Sequence, residues 1–219
     1  MTADVHTQLL NLACGAFLLS AVGVLWRRDV AALIRLITLQ GVALTAIAAL
    51  LAASHGSVEA TLMAVFVGVL KAVALPALLR RVLRQVPEAR ETAPQVNVAA
   101  SLLAAAALTL LAYAAARPLV ELSPAPSARA APVGIAVVLI GFFLAATRRR
   151  AISQIIGLLL VDNGIAAVAF LTTGGVPLVV ELGVSVDLLL AVLVLQILTT
   201  RLRAAFGGTN LDELRELRD

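Results

Sequence analysis

Long apolar runs, separated by short polar or turn-forming stretches, dominate the hydropathy pattern of this chain. The runs cover residues 7–26, 30–53, 58–79, 96–116, 133–147, 151–173 and 180–203. About 20 consecutive apolar residues cross the hydrocarbon core of a bilayer as a helix. We therefore predict an all-α, polytopic membrane bundle of about seven transmembrane helices. The third should continue as a helix to about residue 85, and the fifth should be short, between Pro132 and Arg148.

The composition supports a membrane protein and excludes several other classes. Of 219 residues, 61% are hydrophobic and 14% charged, whereas soluble domains are roughly 45–50% apolar and about 25% charged. The net charge of +4 comes from arginines beside the apolar runs, so we predict no nucleic-acid partner. A single cysteine, Cys14, excludes an internal disulfide and a cysteine-based metal cluster. With His6 and His55 as the only histidines, we expect no metal or cofactor in this chain.

The positions of the basic residues predict the orientation in the membrane. With seven spans, 13 of the 17 lysines and arginines fall on one side, and only Arg117 and Arg129 on the other. The remaining two, Arg35 and Lys71, lie within spans. Because basic loops stay in the cytoplasm, we predict an N-terminus outside the cell and a cytoplasmic C-terminus.

Two separated segments resemble each other, which predicts an internal repeat. The stretch "LWRRDVAALIRLITLQGVALTAIAAL" (25–50) matches "ATRRRAISQIIGLLLVDNGIAAVAFL" (146–171) in its basic turn and in a polar-glycine step, Gln40-Gly41 and Asn163-Gly164. We predict a parallel duplication, because an offset of four spans preserves direction. The units are 1–95 (spans 1–3), a connector helix and loop at 96–131, 132–206 (spans 5–7), and a cytoplasmic tail at 207–219. Shared membrane composition is the alternative explanation of the similarity.

Ionisable residues inside the apolar runs are the candidate functional residues, because a charge in a membrane is costly and usually functional. Lys71 in span 3 and Asp162 in span 6 lie near mid-membrane, and Gln40 lies at a similar depth in span 2. Asp187 lies about a third of the way into span 7, with Glu181 near its outer end. A proton relay, a structural ion pair and a contact with a partner subunit are all open for Lys71 and Asp162.

Pro76 lies five residues after Lys71, in the stretch "GVLKAVALPALL" (68–79). Proline removes the helical hydrogen bond to the carbonyl four residues earlier, here that of Ala72. We expect a kink beside the lysine and room for water there. Arg35 is two turns from Arg28 and is expected to snorkel to the interface or to face a partner.

Several motifs resemble the hydrogenase-4 component E family, the membrane subunits of formate hydrogenlyase-like, group 4 hydrogenase complexes. They are "RRRAISQIIGLLLVDNGIAAVAFL", "VPLVVELGVSVDLLLAVLVLQIL", "LKAVALPALL" and the tail "TNLDELRELRD". Each half is similar to the complex I K subunit and to the antiporter C subunit. Two positions depart from these patterns. Asp162 stands where the family usually has glutamate, and span 2 offers only Thr38 or Gln40 where the K subunit has one.

The resemblance implies a non-catalytic subunit in a bacterial or archaeal cytoplasmic membrane. Lys71, Asp162, Asp187 and Glu181 would line a polar axis for protons, supported by Pro76, Gln40, Asn163 and Arg35. The implied partners are antiporter-like subunits, a subunit similar to complex I's H protein, and a peripheral hydrogenase-type module with nickel–iron and iron–sulfur centres. A structural scaffold, a subunit of an antiporter-like cation or inorganic-carbon machine, and a stand-alone transporter are the alternatives.

Overall fold

The computed structural model describes residues 3–27, 29–83, 97–148 and 151–175, and these ranges contain helices and no strand. The helices are α1 (Ala3–Trp26), α2 (Val30–His55), α3 (Val58–Val67), a π-helical segment (Gly68–Ala74), α4 (Leu75–Leu83), α5 (Val98–Ala115), α6 (Arg117–Leu122), a 3-10 helix (Pro126–Ala130), α7 (Ala131–Thr147) and α8 (Ala151–Thr173). α3, the π segment and α4 follow one another without a break.

Six helices of the described ranges are long and apolar enough to cross a membrane. They are the first six of the predicted spans, and their bounds differ from the prediction by a few residues. The predicted all-helical architecture is therefore confirmed for the described residues, and the six apolar helices indicate a multi-pass membrane protein. The seven-span count and the internal repeat stay predictions. The predicted span at 180–203, the tail at 207–219, and with them Glu181 and Asp187, lie outside the described residues.

Short turns with specific caps reverse the chain between successive spans. The Asp29 carboxylate accepts a hydrogen bond from the Ala31 N–H at the start of α2. At the other end of α2, Gly56 adopts φ 64°, a left-handed conformation that glycine takes without strain. Ser57 then caps α3 by accepting from the Ala60 N–H. These caps satisfy backbone groups that a helix end would otherwise leave unpaired.

The closest helix pair is α7 with α8, and glycines on both helices allow it. The backbone of Gly134 lies against Gly164, and that of Gly141 against Gly157, so that a Cβ on any of the four would meet backbone atoms at 2.9 Å or less. In a membrane, where lipid is as apolar as the helices, such close packing supplies much of the attraction between helices. Gly157 and Gly164, seven residues apart on α8, both lie at this contact.

Hydrogen bonds hold both ends of the α7–α8 pair in place. Ser123 and Ser127, in the connection before α7, donate hydroxyl hydrogen bonds of 2.7 Å to the carbonyls of Thr172 and Leu171 at the end of α8. At the opposite end, Arg148 follows α7 and reaches the end of α1. We call the end of the bundle where α1 ends and α2 begins the basic side.

The helix around Lys71 contains a segment that the sequence did not indicate. Residues Gly68–Ala74 form a π-helix, and the Leu75 N–H donates to the Leu70 carbonyl, five residues earlier. Pro76, which has no N–H to donate to the Ala72 carbonyl, lies directly after this segment. Stretches of π-helix within α-helices occur frequently at functional sites.

Candidate functional site

Four polar side chains meet inside the bundle at about the middle of the membrane. Gln40 on α2, Lys71 on the π segment, and Asp162 and Asn163 on α8 are each no more than 3% exposed. At 1.5 Å per residue, Gln40 lies about 15 Å from the start of α2 and Asp162 about 16 Å from the start of α8. Half the thickness of the hydrocarbon core is also about 15 Å. We call these four residues the midplane cluster.

An ion pair joins two members of the cluster. The Lys71 Nζ donates a hydrogen bond to the Asp162 Oδ2, across a sequence separation of 91 residues. Both side chains are almost fully enclosed. Taking two charges out of water costs several kcal/mol for each ion, and close pairing offsets much of that cost. The pair is therefore stable only while both partners are present and charged, or after both have become neutral.

An amide pair joins the next residue of α8 to α2. The Asn163 Nδ2 donates to the Gln40 Oε1 over 2.9 Å. The other two amide atoms, Gln40 Nε2 and Asn163 Oδ1, are buried and have no hydrogen-bond partner among the described residues. Buried polar atoms are usually satisfied by protein or by water. One donor and one acceptor of the cluster are therefore left without a partner among the described residues.

Gly41 closes the cluster into a ring of contacts. A Cβ built on Gly41 would lie 2.4 Å from the Lys71 carbonyl oxygen and 2.7 Å from its carbon. Only glycine permits this approach of α2 to the π segment. From Gln40-Gly41 the contacts run to the Lys71 backbone, through its side chain to Asp162, and from Asn163 back to Gln40.

The ring contains one acidic and one basic group in direct contact. A lysine ammonium and a carboxylate in contact can exchange a proton and become a neutral pair, which removes the cost of two buried charges. The amides cannot titrate, but they can orient a water molecule through their unused atoms. Among the described residues, no group of three or more histidine, cysteine, aspartate or glutamate side chains could hold a metal ion.

The predicted site residues separate into three groups. Lys71, Asp162, Gln40 and Asn163 come together in the midplane cluster. Pro76 is the second residue of α4, five residues after Lys71. Arg35 is exposed and lies on α2 away from the cluster. Asp187 and Glu181 lie outside the described residues.

Arg148 has a role that the sequence did not indicate. From the sequence it counts only as a basic loop residue. In the structure its side chain is 6% exposed, and its Nη2 donates to the carbonyls of Leu25 at 3.2 Å and Arg27 at 3.5 Å. A cation suits the last carbonyls of a helix, because they carry the negative end of the helix dipole. The separation of more than 120 residues left no local signal for this contact.

Comparison with known proteins gives one family relationship. No family model matches the chain, and no solved structure matches it. A curated relative, uncharacterized protein Rv0085 of Mycobacterium tuberculosis, is 47% identical over 212 residues, which are 96% of this chain and 96% of that protein. With six membrane-capable helices and a relative matched over nearly its whole length, the chain belongs to the family of Rv0085.

Proposed function

We propose that this protein is a non-catalytic membrane-arm subunit of a complex I-like membrane-bound hydrogenase, of the formate hydrogenlyase type. In that complex it contributes to proton translocation through a polar axis in the membrane. The observation that carries the proposal is the midplane cluster, which holds a titratable Lys71–Asp162 pair at mid-membrane. Ionisable groups buried at that depth mark ion pathways and proton relays in membrane proteins.

The unused amide atoms support a relay. Gln40 Nε2 and Asn163 Oδ1 are buried without a partner among the described residues, and a water molecule bound to them would add a donor and an acceptor to the cluster. A proton that leaves Lys71 or reaches Asp162 needs such a neighbour, because proton transfer occurs over hydrogen-bond distances. Asp187 and Glu181 would extend the path toward the outer surface, and Arg35 and Pro76 would support it.

The internal repeat supports a place in the complex I-like class. The predicted repeat pairs Gln40-Gly41 with Asn163-Gly164, and Gln40 and Asn163 are bonded to each other. Equivalent residues meet in this way near the axis that relates two parallel repeats, and such repeats are frequent in transport proteins. The repeat units 1–95 and 132–206 would then face each other across the midplane cluster, with the connector 96–131 between them in the chain.

The proposed setting follows the resemblance of the motifs to component E. The chain would lie in a bacterial or archaeal cytoplasmic membrane with its N-terminus outside. Arg27 and Arg148 follow spans that end on the basic side, and Arg80 and Arg81 lie in the last turn of α4, which ends on the same side. Its partners would be antiporter-like subunits and a subunit similar to complex I's H protein. The redox chemistry would belong to nickel–iron and iron–sulfur centres of a peripheral module.

Affinity purification of the full chain in mild detergent, followed by mass spectrometry, tests the proposal. Antiporter-like subunits together with a nickel–iron or iron–sulfur module are the expected companions. Antiporter-like subunits without redox partners would assign the chain to a cation or inorganic-carbon machine. A lone protein that moves ions in liposomes would contradict the proposal and favour a stand-alone transporter.

A structural scaffold is the second candidate, and the closed ring of contacts favours it. An ion pair buried between helices can fix their register without moving a proton. If the chain is a scaffold, a variant that keeps the complex assembled but lacks both charges will translocate protons normally. The relay predicts that the same variant assembles and does not translocate.

A further inference from the structure

Span 3, which consists of α3, the π segment and α4, has a buried stripe and an exposed stripe, and both repeat at every fourth residue. The side chains of the buried stripe are no more than 3% exposed, whereas those of the exposed stripe reach the surface of the bundle. The buried stripe is Val67, Lys71, Leu75 and Leu79, and the exposed stripe is Val65, Val69, Val73 and Ala77.

A regular α-helix cannot keep such stripes straight. Its residues advance by about 100° each, so a step of four overshoots a full turn by about 40°. From Val67 to Leu79 the overshoot reaches about 120°, which would turn Leu79 out of the face that buries Val67. The π segment lies between these two residues, and its wide turn holds about one extra residue, which takes up about 100° of the overshoot. A straight stripe at this spacing therefore depends on the wide turn.

Lys71 is the middle residue of the π segment, so its direction depends on where the wide turn lies. With the extra residue entirely before Lys71 or entirely after it, the lysine would point in directions about 100° apart, while Val67 and Leu79 would keep their faces. A rotation of that size moves a Cα by about 3.5 Å and the end of the side chain by more. Because the Lys71 side chain is enclosed, it has little freedom to compensate.

Contacts with α2 hold the wide turn in the position where Lys71 is its middle residue. Gly41 lies against the Lys71 carbonyl oxygen, where a Cβ would come within 2.4 Å. One helix turn further along α2, the methyl group of Thr45 lies against Gly68, the first residue of the segment; a Cβ on Gly68 would be 2.8 Å from that methyl. The Thr45 hydroxyl donates to the Gly41 carbonyl over 2.7 Å, which fixes the rotamer of Thr45 and links the two contacts.

We infer that the wide turn is the element that aims Lys71 at Asp162, and that Thr45 and Gly68 are positioning residues that hold this turn in place. Both residues act on the ion pair through the backbone of the π segment. The inference deepens the proposed relay and rests on it for the use of the pair. Its tests measure the ion pair in the purified full chain, so their outcome is independent of whether the pair moves protons.

Two matched deletions test the wide turn. Deletion of Val69 removes a residue before Lys71, and deletion of Val73 removes one after it; both are exposed valines of the same stripe. Each deletion takes away the extra residue and should give a regular α-helix in which the remaining apolar residues of the buried stripe stay on one face. Both variants should therefore fold, with their lysines about 100° apart in direction.

Lys71→Met reports the ion pair in each background. In the parent chain it should lower the melting temperature, because it leaves Asp162 buried without its partner. In at least one deletion variant the same substitution should leave the melting temperature unchanged or raise it, because the pair is already broken there. A fall equal to that of the parent in every deletion variant that folds would overturn the inference, and so would failure of both variants to fold.

A methyl exchange tests Thr45 and Gly68 without a deletion. Gly68→Ala adds a methyl 2.8 Å from that of Thr45, and Thr45→Ser removes the latter while keeping the hydroxyl. Gly68→Ala should reduce the effect of Lys71→Met on the melting temperature to less than about half of that in the parent, and Gly68→Ala/Thr45→Ser should restore it. Gly15→Ala is the control, since a Cβ there meets nothing within 4 Å. If Gly68→Ala leaves the effect of Lys71→Met unchanged, Thr45 and Gly68 only pack against each other and the inference is wrong.

Discussion

Gly41→Ala should destabilise the bundle, because α2 touches the π segment at this residue. The new methyl would lie 2.4 Å from the Lys71 carbonyl oxygen, whereas ordinary contacts begin near 3.4 Å. The two backbones must therefore separate by about 1 Å, and no side-chain rotation can relieve the contact. Such a separation would also strain the ring that connects Lys71 with Asp162 and Gln40 with Asn163.

The expected cost is about 2 kcal/mol. Overpacking a core costs about 1–3 kcal/mol, and backbone contacts belong at the upper end of that range. Alanine recovers about 1 kcal/mol through its higher helix propensity. The control is Gly15→Ala on α1, where a Cβ would meet nothing within 4 Å. That variant should be neutral or more stable by up to about 1 kcal/mol, so the two variants should differ by about 3 kcal/mol.

The single cysteine provides the assay. Cys14 is buried, so a fluorogenic thiol reagent labels it only when the helices come apart. Thermal melts of detergent-purified protein should place Gly41→Ala about 4–8 °C below the parent, on the scale of soluble chains of this length. Equal melting temperatures for Gly41→Ala and Gly15→Ala would refute the close approach of α2 to Lys71.

The same melt tests three further contacts. Gly157→Ala should lower the melting temperature by a similar amount, because its Cβ would meet α7 backbone atoms at 2.7 Å. Arg148→Gln should lower the free energy of unfolding by about 1.5–3 kcal/mol, because it removes the charged hydrogen bonds to the end of α1. The control Arg27→Gln changes an exposed side chain and should cost little. Equal losses of stability in the two variants would contradict the Arg148 contact. Gln40→Leu and Asn163→Leu should each lower the free energy of unfolding by about 1–3 kcal/mol, and the double variant should lose less than the sum of the two. If the two losses are strictly additive, the amides do not interact.

The spans could be predicted from the sequence because the bilayer imposes one simple condition on each of them. A run of about 20 apolar residues must be helical to satisfy its backbone hydrogen bonds. That condition located the described spans to within a few residues. It also identified Lys71 and Asp162, since each charge stands alone in an apolar run.

The contacts between helices could not be predicted, because they depend on how distant segments pack. Depth placed Lys71, Asp162 and Gln40 near the same plane but did not show which side chains meet. The π segment could not be predicted from Pro76, because a proline inside a helix is equally compatible with a kinked α-helix. The contacts of Arg148 could not be predicted either. Its partners are backbone carbonyls more than 120 residues away, and every residue has a carbonyl, so the sequence does not mark them.

The ion pair allows structure and function to be separated. Lys71→Met or Asp162→Leu alone should cost about 3–5 kcal/mol, because each leaves a buried charge without its partner. The double variant Lys71→Met/Asp162→Leu removes both charges and should recover most of that stability.

The most direct test of the account uses the proposed complex with this double variant in sealed membrane vesicles, and it measures proton translocation per turnover. We predict normal assembly and electron-transfer turnover, with proton translocation reduced to the background of uncoupled vesicles. Translocation equal to that of the parent complex would contradict the relay and would leave Lys71 and Asp162 as a structural pair.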